Sequence, residues 1–79
     1  LVSENGVYTL AAKLEVDHVN EKYDLKIPEG DYETLGGFVI ANLEEIPSVG
    51  DIFVIDNFEI KVLEATEQRI EKLSINLLE

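Results

Sequence analysis

Two features of the chain have the residue types and spacing for chemistry. One is the adjacent pair Gly36-Gly37, and the other is the set of carboxylates around it, Glu29, Asp31 and Glu33 before the pair and Glu44 and Glu45 after it. Glycines at a helix start can cradle phosphate, because bare backbone N–H groups approach the anion closely. Such motifs place a glycine-rich loop ahead of the helix and usually add a Lys, and neither is present here. Each glycine in a helix interior costs about 0.8–1.0 kcal/mol relative to Ala, so something must offset the pair. Missing side chains that let a helix approach a strand or a neighbouring chain would do so. The five carboxylates offer the oxygen ligands that Ca2+ and Mg2+ take, but Asp31-Tyr32-Glu33 lacks the Asp/Asn, Gly and distal Glu of an EF-hand. Their alternative is a solvated acidic face.

Other chemistry finds fewer parts. His18 is the only histidine and there is no cysteine, which excludes a zinc site of the His- or Cys-rich kind within one chain. Its place near a helix start reads as an exposed residue rather than a catalytic base. Ser3, Ser48 and Ser74 have only His18 as a base, and none stands in a Gly-x-Ser-x-Gly elbow. A carboxylate pair for glycoside chemistry would need a sugar cleft, for which 79 residues leave little room. No catalytic residue is assigned, and the expected class is a binding or regulatory module.

Composition narrows the partners. Seventeen Asp and Glu against six Lys and Arg give a net charge of −11, and the cations Lys13, Lys22, Lys26, Lys61, Arg69 and Lys72 are scattered. Nucleic acid needs clustered Lys and Arg, and anionic lipid needs the same, so neither is an expected partner. No apolar run approaches the roughly 20 residues that span a bilayer, so this segment itself does not insert. The chain begins Leu1-Val2-Ser3 and contains no Met, which is the expectation for a piece excised from something longer.

The elements that must position these residues follow from periodicity. Asn5-Gly6 signals a turn, and Val7 to Leu14 reads as the first strand. Asp17 is the expected cap of a short helix ending near Tyr23, with Val19 and Tyr23 on its inward face. Asp31 is the expected cap of the principal helix, whose Leu35, Phe38, Val39 and Leu43 follow i, i+3, i+4, i+8 and which stops before Pro47. Ile52 to Ile55 and Phe58 to Glu64 read as a hairpin turning at Asp56-Asn57, with Phe58, Ile60 and Val62 inward. A turn at Thr66-Glu67-Gln68 leads to a last strand, Arg69 to Leu77, with Leu73, Ile75 and Leu77 on one face. The expected fold class is α+β: a single domain over 1–79 with a small antiparallel sheet and two helices on one face, in the order strand-helix-helix-strand-strand-strand.

The runs Asp31-Tyr32-Glu33-Thr34-Leu35-Gly36-Gly37-Phe38-Val39-Ile40, Ile46-Pro47-Ser48-Val49-Gly50-Asp51 and Phe58 to Ala65 closely resemble the CorC/HlyC transporter-associated domain. Val19-Asn20-Glu21 and Arg69-Ile70 extend the likeness over nearly the whole chain. The resemblance implies the C-terminal domain of hemolysin-like or magnesium and cobalt efflux membrane proteins. It would lie on the cytoplasmic side of the bacterial inner membrane. Its implied partners are a CBS-domain pair, the membrane domain of the same protein and a second copy of itself, giving a homodimer. Also implied is a fold similar to a subdomain of the FAD-binding domain of vanillyl-alcohol-oxidase-type flavoenzymes. There the flavin lies between two subdomains, of which this chain supplies at most one and without a recognisable pyrophosphate-binding loop, so no cofactor is expected. The alternative is a module that binds FAD or an adenine nucleotide beside Gly36-Gly37. Thr34, Gly36 and Gly37 carry over as a structural or interface signature.

Overall fold

A computed structural model describes residues 2–4 and 6–78. In chain order the elements are β1 (Val2–Glu4), β2 (Val7–Ala11), α1 (Val16–Tyr23), α2 (Leu35–Leu43), β3 (Ile52–Ile55), β4 (Phe58–Ala65) and β5 (Ile70–Leu77). All the strands join one sheet of order β1-β2-β5-β4-β3, with every neighbouring pair antiparallel. The expected α+β order is observed, with the short β1 added ahead of it. Gly6 turns β1 into β2 at φ 82°, a left-handed conformation that favours glycine; its turn partner Asn5 lies outside the described residues.

Alternation decides which face is covered. Register sets Leu10 beside Leu73, Val62 beside Leu73 and Ile60 beside Ile75, so the apolar set of each strand falls on one side. Val16 and Val19 from α1 and Leu35, Phe38 and Val39 from α2 complete the core over that side. The opposite side carries Thr9, Glu59, Lys61, Ser74 and Asn76. The connection between the helices is tied in as well. Leu25 and Ile27 are buried, and the Asn20 side chain bonds both the N–H and the C=O of Ile27, at 2.8 and 2.9 Å.

Several boundaries differ from the sequence reading. The strand expected over Val7 to Leu14 ends at Ala11, because Leu14 N–H turns back to the Ala11 carbonyl. Asp17 is not a cap: α1 starts at Val16 after Glu15, whose side chain makes no cap bond, and Asp17 sits in the first turn, where the helix dipole favours a carboxylate. Asp31 is not a cap either. The Val16 N–H donates to the Glu33 carbonyl and Glu15 pairs with Thr34 as an isolated bridge, so the chain stays extended until Thr34, which caps α2. Leu77 is on the predicted side of β5 but at its exposed end.

Tyr23 packs its ring against Tyr8, with centroids 5.1 Å apart, and its buried hydroxyl has no hydrogen-bond partner among the described residues. An orphan hydroxyl contributes desolvation cost without a compensating bond. Tyr23→Phe is therefore expected to leave stability unchanged or raise it by up to about 1 kcal/mol. Urea unfolding measures this, and a loss of similar size would reveal a partner for the hydroxyl.

Candidate functional site

The double glycine sits at the start of α2, in its first turn rather than its interior. Thr34 is the N-cap, Leu35 the first helical residue, and Gly36 and Gly37 the next two. These positions carry the N–H groups that a helix leaves unpaired and that an anion would use. Here each has an internal acceptor. Leu35 N–H donates to the Leu14 carbonyl at 2.9 Å and Gly36 N–H to the Ala12 carbonyl at 2.9 Å. Gly37 N–H donates to Thr34 Oγ1 at 3.1 Å, and Phe38 N–H to the Thr34 carbonyl at 2.9 Å. The turn after β2 thus occupies the place that a phosphate would take.

Both glycines are explained by what lies against them. A Cβ on Gly36 would stand 3.3 Å from Ala12 Cβ, tighter than ordinary packing, and 3.5 Å from the Ala12 carbonyl oxygen, an ordinary contact. A Cβ on Gly37 would stand 3.0 Å from Tyr32 Cβ and 3.3 Å from Thr34 Oγ1. Of the close approaches considered from the sequence, to a strand or to a neighbouring chain, the one seen at Gly36 is to Ala12, one residue past the end of β2. Thr34 makes this geometry local, since its hydroxyl oxygen accepts from Gly37. Thr34→Ala should cost about 1 kcal/mol, the usual loss for a helix cap, measured by chemical unfolding.

Beside the glycines lies a recess of about 450 Å³ lined by Lys13, Thr34, Gly36, Gly37, Ile40 and Arg69, among others. It brings two of the six cations together, but Arg69 Nε is engaged by Glu71 at 2.9 Å. The recess has side-chain charge to offer and no free helix amide.

The acidic residues do not form the convergent set considered from sequence. Glu29 and Glu33 line a second recess, of about 380 Å³, together with Glu15 and Asp17. Glu44 caps the other end of α2, with Glu45 following it. A nine-residue helix is roughly 13 Å long, which separates the two groups. Among the described residues no three His, Asp or Glu side chains are gathered so as to hold a metal ion. Asp31 is exposed between the two bridged residues Gly30 and Tyr32. The Tyr32 hydroxyl donates to the Pro28 carbonyl. Its pKa is raised by burial first and then by the carboxylates of Asp56 and Glu29, so it remains a neutral phenol at neutral pH.

The nucleophile candidates are equally dispersed. His18 is exposed on α1, and no hydrogen bond joins it to a serine among the described residues. Ser74 lies on the side of the sheet away from the core, and the Ser48 N–H bonds Asp51 Oδ2 at 2.9 Å in the loop before β3. The side chain of Ser3 lies outside the described residues.

The sequence reading missed the capping role of Thr34. The signal was available in the Thr34-Leu35-Gly36-Gly37 spacing, because a Thr three residues before an amide is a standard cap geometry.

Comparison with known proteins agrees with this architecture. The model of the transporter associated domain, CorC_HlyC, matches residues 2–79. A UPF0053 protein of Synechocystis is 40% identical over 79 residues, covering 95% of this chain and 18% of that protein. The magnesium and cobalt efflux protein CorC of Buchnera aphidicola is 21% identical over 76 residues, covering 96% of this chain and 26% of that protein. The chain therefore spans about a quarter or less of these longer relatives. The solved transporter associated domain of a CBS domain protein from Porphyromonas gingivalis superposes with a TM-score of 0.81 at 29% identity, covering 100% of this chain and 97% of that one. That solved chain is almost entirely the superposed domain, which in that protein is therefore seen folded apart from the rest of the polypeptide. With the family model matching residues 2–79, nearly the whole chain, the chain belongs to the CorC/HlyC transporter-associated domain family.

Proposed function

We propose that this domain is a non-catalytic adapter of a longer membrane protein linked to divalent cation transport, magnesium or cobalt, working by contact on the cytoplasmic side of a bacterial inner membrane. Its partners in this reading are the CBS-domain pair and membrane domain of the same polypeptide. The efflux protein from Buchnera and the CBS domain protein from Porphyromonas support the setting. The observation that carries the reading is the bonding of every first-turn amide of α2 to Leu14, Ala12 or Thr34. In this reading Gly36-Gly37 serves the packing of α2 rather than a ligand.

Pairing with a second copy belongs to the same reading. Two bodies of charge −11 repel, so self-association of the isolated domain requires salt to screen them.

The recess that joins Lys13 and Arg69 favours a second reading, binding of FAD or an adenine nucleotide. Thermal unfolding with each ligand decides between them. A ligand at 100 times its dissociation constant adds about 2.7 kcal/mol, which in a domain of this size raises the melting temperature by roughly 11–22 °C. The adapter reading expects no shift with FAD or ATP, and a shift of that size would replace it with the nucleotide reading.

A further inference from the structure

The sheet ends in two edges, the three-residue β1 and the longer β3. Ile55 and Phe58 close a two-residue turn, which makes them a mutually hydrogen-bonded pair. Farther along, Val62 N–H donates to the Asp51 carbonyl at 3.0 Å. Bonded positions on β3 therefore alternate through 51, 53 and 55. The N–H and C=O of Ile52 and Val54 point away from β4, toward the open edge, and have no partner among the described residues. The side chains of the same two residues are 59% and 58% exposed, and Val49, just upstream, is 59% exposed. Natural edges are blunted by Lys, Pro or inward charges, and Ile52-Phe53-Val54-Ile55 contains none of them.

We infer that β3 is a docking strand that accepts an extended segment with alternating apolar side chains and flanking Lys or Arg. Main-chain bonds to Ile52 and Val54 supply its affinity, and the apolar side chains beside them supply its register. Charge selects the occupant. Exposed Asp51 and Asp56 bracket the strand and exposed Glu59 stands opposite Val54, with Lys61 opposite Ile52 as the one cation of that row. A second copy would bring the same Asp51, Asp56 and Glu59 against themselves, and its own charge of −11. A basic-flanked segment meets complementary charge instead.

This inference rests on the adapter reading for its biological setting, but its test is separate. A capped peptide of alternating Val and Thr with two Lys at each end is titrated into the isotope-labelled domain. Amide shifts are expected to concentrate on residues 51–56, with binding that weakens as salt is added. The same peptide with Glu at its ends should bind at least about tenfold more weakly. Val54→Pro removes an outward N–H while leaving the bonds to β4, a position where edge proline is tolerated, and should weaken binding by about tenfold. Val54→Lys, a natural edge guard, should do the same if the proline variant does not fold. Absence of binding, equal binding of the Glu-ended peptide, or binding unaffected by either variant overturns the docking strand, as does a salt-induced dimer that Val54→Lys dissolves. Affinity for the CBS-domain pair in a domain that binds none of these peptides overturns the strand alone and leaves the adapter reading standing. Peptide binding at β3 without any affinity for the CBS pair supports the strand and removes the adapter reading.

Discussion

Phe38→Ala should destabilise the domain by about 3–5 kcal/mol, the range for truncating a buried aromatic side chain. Phe38 is 1% exposed at the centre of the core and packs its ring 5.5 Å from Tyr32. A domain of this length has a total stability of roughly 4–12 kcal/mol, so one truncation removes a large share of it. The melting temperature should fall by roughly 12–40 °C, as measured by calorimetry or circular dichroism. Val54→Ala on the exposed edge provides the control and should stay within about 0.5 kcal/mol of the parent. Loss confined to Phe38 would tie stability to the helix layer; similar losses from both variants would contradict the assignment of Val54 to open surface.

The second large effect is expected at Gly36. A valine there places its Cβ 3.3 Å from Ala12 Cβ and adds two methyl groups that must also find room. The turn cannot withdraw without breaking bonds: Ala12 accepts from Gly36 N–H at 2.9 Å, and its own N–H donates to the Glu71 carbonyl at 2.9 Å. Overpacking of this kind costs about 1–3 kcal/mol. Ala12→Gly opens the space in front of the new side chain, so the two substitutions should be non-additive in a double-mutant cycle. Rescue would be partial, because the Ala12 backbone, with its carbonyl oxygen in contact with the new Cβ at 3.5 Å, still leaves little room for the two valine methyls. A Gly36→Val domain as stable as its parent would mean that the glycine answers to something other than packing.

Much of the fold was legible in the sequence because its signals are local. The stripe of Leu35, Phe38 and Val39 and the alternation of Phe58, Ile60 and Val62 each specify a buried face by period alone, and the burial follows them. The Asp56-Asn57 turn was legible too, although only Asp56 takes a positive φ, at 54°. The cap of α2 was not legible, since Asp31 and Thr34 are both good caps and the choice is made by a long-range contact, Val16 N–H to the Glu33 carbonyl. The first strand was missed because three residues at a chain start carry too little pattern to count, and it forms by pairing with β2.

The site divides along the same line. That the glycines mark a close approach could be read from their cost in a helix. Which backbone they approach depends on the path of the turn after β2, which no periodicity encodes. The carboxylates do not gather as a cluster because α2, Leu35–Leu43, stands between the set before it and the pair after it and holds them about a helix length apart. The exposed face of β3 was hidden as well: Ile52-Phe53-Val54-Ile55 is apolar throughout with no alternation to mark an open face, and its edge position follows only from the strand order.

Calorimetric titration of the domain with the CBS-domain pair that the adapter account assigns to the same polypeptide tests that account most directly. The account predicts saturable binding whose affinity is unchanged by saturating FAD or ATP. No heat of binding at the highest soluble concentration, in a preparation whose unfolding temperature climbs when either nucleotide is added, would contradict it.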